Sequence, residues 1–297
     1  MIFLVFFIPL FTIIYKTFSV SCSEGLAFFY AKWYNSPHMN NLNYLPIAGG
    51  GEWGELLSWF GLTKDGVLDR FAASSARAVD RGTGDERFVY IPGTRPDRVL
   101  LVAHADTRFD HLPAFPPPLQ VADGIVRSAD PAMGCGADDR AGCAILWALR
   151  DLGHSLLVTS CEEYGQKASH WLMDHNPDLA AEINDAHGFA VAFDRRNAAD
   201  FKCYDVGTDA FRAYVAAMTG YAEPDLFSTT DIRVLCRAIT GVNLSVGYHN
   251  EHKDKEYLDL AAWRHTLAVA RGWLTPSGLP RFRREAADAP PLAAGGA

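Results

Sequence analysis

The sequence predicts one α/β domain with a mostly parallel central sheet flanked by helices. Three observations predict it. Short continuous Val/Leu/Ala runs recur along the chain, as strands buried on both faces require. Helix-length segments with apolar residues three and four apart separate them. The 297 residues are 49% hydrophobic and 21% charged, which excludes a wholly disordered or collagen-like chain.

Taken in order, residues 88–91 form a weak strand candidate, and residues 98–103 (RVLLVA) form the clearest one. Residues 112–123 (LPAFPPPLQVAD) read as a loop, because three successive prolines forbid a helix interior. Residues 141–152 (AGCAILWALRDL) read as a helix closed by Gly153. Residues 155–160 (SLLVTS) and 188–193 (GFAVAF) are further buried strands. Residues 209–218 carry a helical apolar period, 242–246 a weaker strand, and 256–274 a final amphipathic helix.

The ends differ from this body, which spans residues 45–275. Residues 1–44 hold no Arg and 2 Ala, whereas residues 45–297 hold 20 Arg and 39 Ala. Residues 1–15 are apolar and without side-chain charge. A 15-residue helix spans roughly 22 Å, short of a hydrocarbon core of roughly 30 Å. No positive residue precedes the run, as a signal peptide would require. Three readings of the leader stay open: a signal peptide, an uncleaved membrane anchor, and a mis-assigned start with Met39 as the true one. Residues 276–297, rich in Pro, Ala and Gly, read as a disordered tail.

Net charge is −8 and no Lys/Arg run occurs, so nucleic acid is not an expected partner. Membrane contact is expected only if the leader is real. The six cysteines among 297 residues are too few for a disulfide scaffold, and the lack of a CxxC pair argues against a zinc knuckle.

Chemistry-bearing residues follow the strands. His104-Ala105-Asp106 follows residues 98–103, Glu162-Glu163 follows 155–160, and Asp194 follows 188–193. His249 and His252 follow 242–246, and Asp138-Asp139 opens the helix at 141–152. Ligands of open α/β sheets bind beyond the carboxyl ends of the strands. Imidazole with carboxylate is the donor set of hydrolytic zinc sites. Each residue alone has a plainer role: Asp138 or Asp139 as a helix cap, Glu162-Glu163 as a solvated strand end, His252 as a surface histidine. The ordered set is what points to a metal centre.

That set resembles the co-catalytic di-zinc exopeptidases, a superfamily of aminopeptidases, carboxypeptidases and deacylases. The matching residues are His-Ala-Asp at 104–106, Gly-Ala-Asp-Asp-Arg-Ala-Gly at 136–142, Ser-Cys-Glu-Glu-Tyr-Gly at 160–165, Phe-Asp at 193–194 and His-Lys-Asp-Lys-Glu at 252–256. Only 33 residues separate His104 from Asp138, 30 separate Glu163 from Asp194, and 57 separate Asp194 from His252. None of these gaps holds an inserted domain, so the chain resembles the single-domain, lidless aminopeptidase branch.

The resemblance implies a two-zinc centre, with Co2+ or Mn2+ satisfying the same donors. It implies that His104 and Asp194 bind one ion, Glu163 and His252 the other, and Asp138 both. It implies that Asp106 orients the His104 ring and that Glu162 is the general base. The expected substrate is a peptide or aminoacyl amide, cleaved at the N-terminal bond by hydroxide held between the zincs. Asp138 is favoured over Asp139 by its spacing from Arg140 and Gly142. His252 is favoured over His249 because the family histidine stands four before a glutamate, here Glu256. Asp231 resembles a site-adjacent aspartate of relatives, and helix capping is the plainer reading. Cys135 and Cys161 stand beside presumed ligands and read as small buried groups. Free thiols there favour the cytoplasm. The rival readings are a carboxypeptidase, an N-acyl amidohydrolase or a one-zinc glutaminyl cyclase on the same scaffold, and an inactive binding protein.

Overall fold

The strongest apolar runs become the centre of a seven-stranded sheet. The computed structural model describes residues 53–224 and 228–284; the leader and residues 285–297 lie outside them. Strands β1 (Val79–Arg81), β2 (Phe88–Ile91), β3 (Leu100–His104), β6 (Ser155–Thr159), β7 (Ala190–Arg195), β8 (Phe201–Lys202) and β9 (Gly241–Ser245) build it, in the order β1-β2-β6-β3-β7-β9-β8. The middle four, β6, β3, β7 and β9, are mutually parallel, and the three outer strands run antiparallel to their inner neighbours. The expected strands therefore form, within two residues at each end.

Two layers of helices explain why the runs are continuous. Successive side chains point to opposite faces of a strand. On one face Leu101, Ala103, Val158 and Val191 pack with α1 (Gly54–Phe60), α2 (Lys64–Ala73), α3 (Ala137–Leu149), α6 (Asp209–Thr219) and α8 (Leu260–Leu274). On the other, Leu100, Val102, Leu157 and Ala192 pack with α4 (Lys167–His175), α5 (Pro177–Ala186) and α7 (Ile232–Leu235). Both faces of β3 and β6 are thus buried, and alternation disappears from their sequences. No helix among the described residues is long and apolar enough to cross a membrane.

Helix α3 lies against β7 through Gly142. A Cβ there would meet the Phe193 carbonyl oxygen at 1.9 Å and the Asp139 carboxylate at 2.4 Å. Any other residue would push the helix off the sheet and displace the aspartates that open it. Gly153 closes the following 3-10 turn at φ +79, as expected of a left-handed stop.

Three expectations are corrected. The helix expected over 256–274 begins at Leu260, capped by the Asp259 carboxylate, which accepts from the Ala261 and Ala262 amides. Tyr257–Asp259 before it is strand β11, paired with β5 (Ile125–Ser128). The loop expected over 112–123 ends in strand β4 (Leu119–Ala122), joined to β5 by Asp123-Gly124, both at positive φ. Asp-Gly between strands is a hairpin signal in its own right. With β10 (Tyr248–His249), these strands form a second sheet in the order β10-β11-β5-β4.

The third correction concerns residues 276–284, which do not belong to a disordered tail. The Phe282 amide donates to the Gly188 carbonyl, and the Gly278 and Leu279 amides donate to Asp97. The Phe282 ring lies 5.1 Å from that of Phe211 and 5.0 Å from that of Tyr214, centroid to centroid. Phe282→Ala is expected to cost about 2 kcal/mol, less than a fully buried Phe because the residue is only partly buried. Urea unfolding measures it; a change under about 0.5 kcal/mol would mean that the segment is not part of the core.

Candidate metal centre

Parallel strands put their carboxyl ends at one edge of the sheet, and the singled-out residues gather there. His104 ends β3 and is buried. Its Nδ1 lies 3.0 Å from the Asp106 carbonyl oxygen and 3.4 Å from Asp106 Oδ1. That contact turns Nε2 toward Asp138 Oδ1 at 3.1 Å and Asp194 Oδ1 at 3.3 Å. The Asp106 carboxylate also accepts from the Glu162 and Glu163 amides, at 3.1 and 3.2 Å. One side chain thereby couples the β3 loop to the β6 loop as well as facing the histidine ring.

Asp138 lies at the start of α3, after Gly136 in the left-handed region, and its own backbone is not helical. Its two oxygens point different ways: Oδ1 to His104 Nε2 at 3.1 Å and Oδ2 to His252 Nε2 at 3.1 Å. His252 Nε2 also lies 2.8 Å from Glu163 Oε2. The side chains form two groups, His104 with Asp194 and His252 with Glu163, and share Asp138.

The alternatives separate. Asp139 comes near His104 and Asp194, but its oxygens accept from the His104 amide at 3.1 Å and the Gly142 amide at 3.0 Å. His249 stacks on Tyr257 at 4.8 Å and is in neither group. Asp231 does not cap α7; buried, it accepts from the Thr159 and Ser169 hydroxyls. Cys135 and Cys161 are buried thiols, and burial pushes both up, Cys161 to about 11.

Electrostatics follow from crowding carboxylates out of water. Burial and the Asp194 charge push Glu162 well above the usual carboxylate range. Burial and Asp138 push Glu163 up to about 7, and burial raises Asp194. Against the same burial, hydrogen bonds from His104 and His252 hold Asp138 below its usual value. His252 rises to about 10: burial works against its charge, but Asp138 and Glu163 outweigh it. Mutual repulsion of this kind is relieved by a cation. Glu163 Oε1 is moreover buried with no hydrogen-bond partner. An orphaned carboxylate oxygen beside imidazole nitrogens and further carboxylates fits a divalent ion of the zinc type.

Several supporting roles escaped the sequence reading. Glu256, fully buried, accepts from the Gly136 amide at 2.6 Å and the Asp138 amide at 3.1 Å, holding the turn that presents Asp138. Thr230 donates to Asp194 Oδ2 at 2.7 Å, and Tyr248 to Asp194 Oδ1 at 3.2 Å. Gln166 donates to Glu162 Oε1 at 3.0 Å. Only the Gln four residues after Glu162 had a local signal. Glu162, Asp138, Asp194 and His252 face a common cleft.

No protein-family model matches the sequence, and no curated protein matches it. The fold does have counterparts among solved structures. Aminopeptidase PepT from Bacillus cereus ATCC 10987 superposes with a TM-score of 0.52 at 13% identity, over 74% of this chain and 96% of that one. A tripeptidase from Staphylococcus aureus subsp. aureus mu50 gives 0.52 and 13%, over 74% and 96%. The Pyrococcus horikoshii TET1 peptidase, which assembles into a tetrahedron or a large octahedral shell, gives 0.53 and 14%, over 73% and 98%. The fold is that of these peptidases, as the motif resemblance led us to expect.

Proposed function

We propose that the protein is a metal-dependent exopeptidase, an aminopeptidase that hydrolyses the N-terminal peptide bond with two divalent ions, zinc in the first instance. The observation that carries the reading is the division of the Asp138 oxygens, one to His104 and one to His252, each 3.1 Å away. A carboxylate placed so between two donor groups would suit a pair of divalent ions, one held by each group. His104 and Asp194 would hold one ion, His252 and Glu163 the other, and Asp138 both. Such ions supply Lewis acidity toward the scissile carbonyl and lower the pKa of water.

The remaining work falls to the chain. Glu162 takes the proton of the attacking water and passes it to the leaving amine. Gln166 and the Asp106 carboxylate, through the Glu162 amide, keep that side chain in place. Asp106 orients His104 from the far side of its ring. The five described cysteines are free thiols, which supports a cytoplasmic location.

The test is metal content. Protein purified without chelator and reloaded with zinc is expected to hold two ions per chain by elemental analysis. One ion per chain would shift the reading to a single-zinc cyclase-like enzyme. None after reloading would overturn the metalloenzyme.

A further inference from the structure

The cleft beside the metal centre has a wall of unusual composition. Asp194 is followed directly by Arg195 and Arg196, and both line the cleft, together with Tyr204 and Tyr248. Among the described residues that line it, none has an aliphatic side chain. Arg195 is almost wholly buried; its Nε donates to Asp200, and its Nη2 is buried without a partner. Arg196 Nη1 pairs with Glu251 at 2.5 Å, and its side chain is 45% exposed. That ion pair joins the residue two after Asp194 to the residue just before His252, so it spans both donor groups. A guanidinium carries five donors in a fork matched to a carboxylate. A single carboxylate partner leaves Arg196 donors to spare, and the orphaned Arg195 N–H wants an acceptor.

We propose that this wall binds a carboxylate of the substrate, with Arg196 as the principal donor. The proposal rests on reading the cleft as a peptidase substrate site, and it names the class of substrate that site takes. The carboxylate has two sources: the side chain of an N-terminal Asp or Glu, or the C-terminus of a dipeptide. An apolar wall would favour leucine-like residues; the described residues of this one offer nitrogen donors and phenol groups.

Binding, read apart from turnover, tests it. Zinc-loaded Glu162→Gln protein, which should not hydrolyse its ligands, is titrated calorimetrically with four probes. Glutamic acid α-amide is compared with leucine amide, and Ala-Ala with Ala-Ala amide. The carboxylate-bearing member of at least one pair is expected to bind about 10- to 100-fold more tightly, the range of a charge-assisted hydrogen bond. The first pair reports a side-chain carboxylate, the second a C-terminal one. Adding Arg196→Ala is expected to collapse that ratio toward one; Arg196 is half-exposed, and thermal melting with zinc content checks that the fold survives. Ratios near one for both pairs, or a preference that persists in Arg196→Ala, would overturn the proposal. Carboxylate-selective binding without hydrolysis by the zinc-loaded wild-type protein would retain this site and remove the peptidase reading. Hydrolysis of leucine amide with no carboxylate preference would do the reverse.

Discussion

Replacing Glu162 with Gln is expected to lower kcat on an unblocked peptide by about a thousandfold, within the range ascribed to a positioned general acid–base. The substitution keeps the side chain's size and an oxygen that Gln166 can still reach, so the loop after β6 should hold its shape. It removes only the capacity to take a proton. Burial and the neighbouring Asp194 charge raise the proton affinity of Glu162, as suits a base that must hold a proton briefly near neutrality. Zinc content should be unchanged, since the donor groups are built from other residues. Turnover within tenfold of wild type, at equal zinc content, would remove Glu162 from the mechanism.

The second large effect is expected at Asp138. Asp138→Asn preserves volume but puts a neutral amide where two oxygens now face two histidines. Two divalent ions held by donor groups that share one residue would repel one another by an amount on the order of ten kcal/mol, and the anionic carboxylate of that residue would offset part of it. Zinc content is therefore expected to fall from two per chain to one or fewer. Activity should fall roughly a thousandfold or more, equivalent to several kcal/mol of transition-state stabilisation. The two variants thus separate: one loses turnover and keeps metal, the other loses both. A variant at Asp138 that still held two ions would mean that the shared position lies elsewhere, Asp139 being the nearest carboxylate on the same turn.

Much of the site was legible because its residues sit where chain direction alone puts them together. Parallel strands with continuous apolar runs must bury both faces, and the residues at or just past each carboxyl end must reach the same edge of the sheet. His104, Glu163 and Asp194 are of this kind. Asp138 and His252 are not at strand ends, and only their spacing to Arg140, Gly142 and Glu256 singled them out over Asp139 and His249. What was missed has a common cause. Glu256 reaches the Gly136 and Asp138 amides from 120 and 118 positions away. Thr230 bonds to Asp194 from 36 away. Phe282 looked like tail because its neighbours in sequence are Pro, Gly and Arg, while its neighbours in space are Phe211 and Tyr214.

The sequence by itself determined the class of fold, the strand segments at the centre of the sheet and the order in which imidazoles and carboxylates follow them. These depend on local apolar content and chain direction, which a linear reading preserves. Only the tertiary structure decided which oxygen of Asp138 faces which histidine, that the Asp139 oxygens are taken up by amides, and that an arginine wall adjoins the centre. Those outcomes depend on side chains from separate loops meeting within about 3 Å, and on which buried groups still lack a partner once every nearer bond is made. No periodicity along the chain records that, because it is set by packing between segments far apart in sequence.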